Sequence, residues 1–121
     1  MIKSVNIGGE DRPVSFGLKA IGEISDHNDW GLVSLGHKMK NNYLLAAPAI
    51  IFYTLKNGAE RNSEPIDFTI HDVYDWVGDA GVYDKSIVDV ITCFAESLSS
   101  YIEKLNNSKP DDPKSEDVKK K

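Results

Sequence analysis

The chain has 121 residues, enough for one domain that buries about two thirds of its unfolded surface without disulfide or metal staples. Its 14 basic and 19 acidic residues sum to −5; the last sixteen residues hold five Lys and four acids, leaving nine basic against fifteen acidic residues, −6, on the rest. A body that acidic disfavours a partner held through phosphate backbones, which attract Lys and Arg by counterion release.

The chain opens on Ile2–Phe16, two β-branched runs either side of Gly8-Gly9. Glycines accept positive φ cheaply, so this reads as a β-hairpin, with Pro13 at an edge because it has no amide to donate. Gly8-Gly9 is followed by neither G-x-G-x-x-G nor G-K-[ST], so a turn is expected and not a phosphate loop. The N-terminus has no basic segment followed by an apolar stretch, hence no secretory signal, and an intracellular setting is expected. A two-stranded ribbon is marginal alone and needs helices to pack on.

From Gly17 to His27, Leu18, Ile21 and Ile24 recur at helical spacing and predict a short amphipathic helix with those three inward. Trp30 and the glycine-punctuated GLVSLG read as a loop leading into a helix near Ser34. The helical region Ser34–Lys56 contains the most apolar run of the chain, Tyr43–Leu55. A segment apolar nearly all round is either enclosed by protein or spans a membrane, and a span needs about 18 such residues. This run of thirteen is therefore expected to be a buried helix. Pro48 is expected to bend the region or to split it, sitting in the first turn of the second piece, and Asn57-Gly58 to end it.

After the polar connection Ala59–Pro65, Thr69 is expected to cap a helix Ile70–Val77. Asp72 stands three residues on, as in a capping box, and Phe68 and Val73 are spaced as a hydrophobic staple. Gly78 and Gly81 are expected to end that helix. Asp84 is placed to cap the last one, Lys85–Leu105, where Ile87, Val88, Ile91, Phe94, Ala95, Leu98, Ile102 and Leu105 form a stripe of helical period. Residues 106–121 have two prolines and one apolar side chain, and are expected to be a disordered tail. The whole is a mainly α fold with an N-terminal β-hairpin: a single globular domain over residues 1–105 with about four helices.

Chemistry is sparse. Cys93 stands alone, in an apolar helical pattern, and reads as a small buried hydrophobe. His27, His37 and His71 lie in three elements without metal-ligand spacing. Asp72, Asp75, Asp79 and Asp84 lack the order of a calcium loop and its closing Glu, and Ser97, Ser99 and Ser100 lack a G-x-S-x-G context. No catalytic residue, metal or cofactor is expected. Aromatic residues, by contrast, are spread across several elements: Trp30, Tyr43, Phe52, Tyr53, Trp76, Tyr83 and Tyr101. Each alone reads as a half-buried core edge, yet Trp and Tyr are also the residue types that anchor interfaces.

The order of motifs has a parallel. A hairpin ending in V-S-F-G-L-K-A-I, a short helix, an apolar helix ending in Y-T-L-K-N-G-A, then F-T-I-H-D-V-Y-D-W-V and a closing helix with I-T-C-F-A-E-S-L resembles the small tail assembly chaperones of long-tailed bacteriophages, over roughly Val5 to Leu98. The resemblance implies a non-enzymatic protein of the bacterial host cytoplasm. It would coat the tape measure protein, keep it soluble and help tail tube subunits polymerise around it, without nucleic acid or membrane as partner. Helix-in-groove binding through Tyr43, Phe52 and Tyr53 of one helix and Tyr74 and Trp76 of the next is the expected mode. In this family a programmed ribosomal frameshift often yields an extended product, and Lys119-Lys120-Lys121 is either such a slippery site or a plain charged tail. Two other readings stay open: a tail-completion or connector subunit that forms rings as a homo-oligomer, and a helix-turn-helix regulator, which the acidic body disfavours.

Overall fold

A computed structural model describes residues 1–108 of the chain. Two strands, β1 (Ser4–Ile7) and β2 (Glu10–Pro13), are followed by five α-helices: α1 (Leu18–Asp26), α2 (Gly31–Asn41), α3 (Tyr43–Arg61), α4 (Ile70–Ala80) and α5 (Lys85–Ser108). A single 3₁₀ turn, His27–Asp29, joins α1 to α2. The mainly helical fold with an N-terminal hairpin is as the sequence predicts, with one helix more than the four expected. The expected tail from 106 starts too early, because α5 continues through Asn106 and Asn107 to Ser108; residues 109–121 of that expectation lie outside the described residues. Pro110 is the first residue of the sequence after α5 begins that a helix interior resists.

The hairpin turns on Gly8 and Gly9, both at positive φ (64° and 85°), which lets two residues reverse the chain in register with Ile7 opposite Glu10. Val5 and Ile7 point into the core against α5. The amide of Ser15 then donates to the Thr54 carbonyl of α3 (3.0 Å), and the Ser97 hydroxyl of α5 donates to the Phe16 carbonyl (2.6 Å), which fastens the ribbon to the helices.

Helix α3 is the centre of the molecule. It packs on α1, α2, α4, α5 and β2, and every residue from Ala46 to Ile51 is buried, as its apolar composition requires. The break in the helical region falls at Asn42, so Pro48 is the sixth residue of α3 and lies beyond the first turn where it was expected. Asn42 serves both helices: its amide donates to the Lys38 carbonyl (2.8 Å) and its carbonyl accepts from Leu45 (3.1 Å) and Ala46 (3.0 Å).

Four more expectations need correction. The segment after Trp30 is helical from Gly31, not a loop to Ser34, because Leu32, Leu35 and Met39 already form one inward row there. Leu18 is 60% exposed: the buried face of α1 is Ala20, Ile21 and Ile24, and Leu18 stands about 120° round the helix from Ile24. Asn57-Gly58 does not end α3, and Gly78 does not end α4. Gly58 is consumed by packing, since a β-carbon there would collide with the Pro13 carbonyl of β2. The helix stops five residues later on Ser63, at φ 56°, with the amides of Ser63 and Glu64 donating to Glu60 (3.2 Å) and Ala59 (2.9 Å) in a Schellman arrangement. Helix α4 runs to Ala80 and ends on Gly81 at φ 97°. Its start is as predicted, with a full capping box between Thr69 and Asp72, and the Asp84 carboxylate accepts from the Ser86 amide (3.1 Å) at the head of α5.

Candidate functional site

The five aromatic residues singled out from sequence sort into two places. Tyr43 is the first residue of α3. Its hydroxyl donates to the Val82 carbonyl (2.9 Å) and its ring stacks on Tyr83, with centroids 5.2 Å apart and planes 9° from parallel. Tyr74 of α4 donates its hydroxyl to the Leu45 carbonyl (3.2 Å). Together they clamp the start of α3 to α4 and to the connection that follows it. Burial raises both phenols above the usual tyrosine range, with the neighbouring Tyr83 adding to the effect at Tyr43.

Around this clamp the surface is apolar. Leu44 is 67%, Leu45 50% and Tyr83 76% exposed. The cause lies in α3 itself: a helix apolar all round has its middle enclosed, but its first turn emerges from the core and carries its leucines into water. Each leucine left out forgoes about 1.5–3 kcal/mol of burial. Exposed apolar side chains grouped near the start of α3 make it a candidate contact site. Sequence reasoning missed Leu44 and Leu45, although a run from Tyr43 to Ile51 without one charge holds more apolar side chains than one small core surrounds. The available signal for Tyr83 is that it is the one aromatic in the glycine-bounded connection Gly81–Asp84.

Phe52, Tyr53 and Trp76 lie elsewhere, in contacts that hold the fold together. Tyr53 shares a hydrogen bond with His27 Nδ1 (3.0 Å), and His27 in turn meets Trp30 edge-on at 5.1 Å. Burial raises the Tyr53 phenol, and the nearby Glu23 carboxylate raises it further. Phe52 touches Tyr53 and Phe68 edge-on, at 5.1 and 6.0 Å. Trp76 lies over Gly8 of the hairpin turn and 5.9 Å from Phe68, with the Arg12 guanidinium 4.4 Å above its ring. Arg12 also donates from Nε to the Ile7 carbonyl (3.0 Å) and pairs with Glu10 and Asp67, both at 3.4 Å. Tyr74 and Trp76 are two residues and about 200° apart on α4, so they border opposite edges of its exposed face.

The flanking charge is one-sided. From Asn62 to Asp84 there are six acidic residues and no Lys or Arg. Asp67 pairs with Arg12, Asp72 accepts from the Thr69 amide (2.8 Å), and Asp84 caps α5. Asp75 and Asp79 are exposed and, among the described residues, have no ionic partner.

Among the described residues no group of three or more His, Cys, Asp or Glu is placed to hold a metal ion, and no helix is long and apolar enough to cross a membrane. His27 is half-buried against Tyr53, whereas His37 and His71 are exposed on α2 and α4; Cys93 is buried and free. No family model, curated protein or solved structure matches the chain.

Proposed function

We propose that this protein is a non-enzymatic tail assembly chaperone of a long-tailed bacteriophage, which binds the tape measure protein in the host cytoplasm, keeps it soluble and assists tail tube polymerisation around it. The motif order from Val5 to Leu98 supports the family. The observation that carries the binding role is the exposed apolar surface of Leu44, Leu45 and Tyr83 beside the Tyr43–Tyr74 clamp. A long helical client exposes apolar stripes that aggregate in water, and a surface of a few leucine and tyrosine side chains covers such a stripe reversibly. Reversibility matters, since the tube has to displace the chaperone. Tyr43 and Tyr74 act here as a rigid frame, with their hydroxyls engaged inward, and the adjacent leucines and Tyr83 supply the contact.

The test is co-expression with segments of the tape measure protein encoded beside this chain. Wild type is expected to co-purify with at least one segment and hold it in the soluble fraction. The Leu44→Ser/Leu45→Ser/Tyr83→Ser variant is expected to lose at least about ten-fold of that capture with an unchanged melting temperature, because exposed positions contribute little to folding. Full capture by the folded triple variant sinks the surface. Failure to hold any segment, with the chain present as a ring in purified virions, replaces the reading with a tail-completion or connector subunit.

A further inference from the structure

Asn57-Gly58 does not end α3, and the pair carries a chemistry of its own. Asn followed by Gly occurs once in the chain and is prone to self-modification in water, because glycine puts no side chain in the way of its own amide nitrogen. That nitrogen attacks Cγ of the asparagine, the bond from Cγ to Nδ2 breaks, and ammonia leaves with the amide proton. Water then opens the five-membered imide at either carbonyl. The product is aspartate with the original backbone, or isoaspartate with the chain routed through Cβ. The sum is amide plus water to acid plus ammonia, with no oxidant or reductant.

The packed chain closes this route. Ring closure needs the Gly58 nitrogen free and turned over Cγ, but inside a helix that nitrogen donates to the carbonyl four residues back and ψ is fixed away from the attack geometry. The Asn57 side chain is held as well. It is only 3% exposed, and its Nδ2 donates to Glu23 Oε1 and to the Tyr53 carbonyl, both at 2.8 Å. Gly58 lies against the Pro13 carbonyl, which restrains rotation of the peptide while β2 is in place. Reaction therefore takes an opening that separates α3 from α1 and β2. The product does not fit back. A carboxylate at position 57 has no proton to donate and faces Glu23, whose other oxygen already takes Lys19 (3.2 Å) and Lys56 (2.8 Å). Isoaspartate adds a backbone atom to a helix that has no room for even a β-carbon at the next residue. We infer that Asn57-Gly58 is a latent self-modification site, closed by the fold and uncovered when α3 opens, at which one deamidation keeps the chain from regaining its native stability. The chain thus has a lifetime set by how often its central helix opens.

Peptide mapping tests this on the full chain, since trypsin cuts after Lys56 and Arg61 and releases the residues between as one fragment. Deamidation of that fragment is followed by mass spectrometry, in native buffer and in urea at the same mildly alkaline pH. The native chain is expected to convert at least about a hundred-fold more slowly than the chain in urea. Glu23→Ala removes one partner of Nδ2 at a half-buried position, and is expected to speed the native reaction at least about three-fold while leaving the rate in urea unchanged. Refolding after increasing times in urea gives a second readout. The converted fraction is expected to melt at least about 4 °C lower than the unconverted chain. An Asn57→Ser chain treated the same way, compared with its own untreated sample, is expected to keep its melting temperature. Equal rates in native buffer and urea, no conversion in urea, a native rate that Glu23→Ala leaves unchanged, or converted chains that melt with the unconverted ones overturn the inference, as does an equal decline in the Asn57→Ser chain.

Discussion

Gly58 and Ser63 exchange the roles that their chemistry would assign them. Gly58, in the middle of α3, is the place where β2 passes closest, so Gly58→Ala forces strand and helix apart and is expected to cost about 2–4 kcal/mol, read from the denaturant midpoint. Ser63 meanwhile closes the helix in the left-handed region, where a β-carbon is a burden. Ser63→Gly removes it and is expected to add about 1 kcal/mol. Gly78→Ala is the control: it lies in a helix interior with open space around it, and should raise stability by about 0.5–1 kcal/mol. A Gly58→Ala protein as stable as the Gly78→Ala protein would refute the packing account. Asn-Gly is a standard helix stop in sequence, and nothing local to residues 57 and 58 reveals that a strand from the other end of the chain occupies the space.

At the level of elements, caps and cross-helix pairs set how well each helix is held. The Thr69–Asp72 box is local and was legible from four consecutive residues. Thr69→Ala leaves an amide of the first turn unpaired and is expected to cost about 1 kcal/mol. The link between α1 and α3 is not local. Glu23 accepts from Lys56 Nζ (2.8 Å), Asn57 Nδ2 (2.8 Å) and Lys19 Nζ (3.2 Å). Burial by itself pushes the Glu23 carboxyl up, but these hydrogen bonds outweigh it and hold the group below its ordinary 4.5. A carboxyl with a lowered pKa in the folded state contributes stability that is complete above 4.5 and lost as the pH falls through the lowered value. Urea midpoints taken from neutral pH down to about 3.5 should therefore decline for the wild type, and Glu23→Gln should decline less over the same range. Parallel curves for the two proteins would show that the pair contributes nothing to acid sensitivity.

Across the molecule, core and surface respond in opposite ways to the loss of a large apolar side chain. Phe94 is fully buried where α5 joins the central cluster, and Phe94→Ala is expected to cost about 3–5 kcal/mol, a large part of what a domain of this size has. Leu44→Ser, on a residue 67% exposed, is expected to change folding stability by less than about 0.5 kcal/mol and to act on partner capture instead. Calorimetry on the two variants separates fold from function; a large loss of stability in Leu44→Ser would place that leucine in the core.

What the amino-acid order determined by itself is everything that depends on neighbours within a few residues. The Gly8-Gly9 reversal, the cap at Thr69, the cap at Asp84 and the stripe of α5 follow from backbone sterics, local hydrogen bonds and period. The enclosure of Ala46–Ile51, the middle of the apolar run, follows from its composition, whereas the exposure of Leu44 and Leu45 at its start does not. Tertiary structure decided where α3 begins and ends, because Asn42 and Ser63 close it with backbone bonds while Gly58 is claimed by β2. It also decided the division of the aromatic residues. Residue type marks Tyr74 and Trp76 alike as interface anchors, but only the packed chain puts Arg12 and Gly8 against Trp76 and leaves Tyr74 beside exposed leucines. Burial is a property of the whole assembly of elements, so an apolar residue's side of the surface is settled only when all of them are in place.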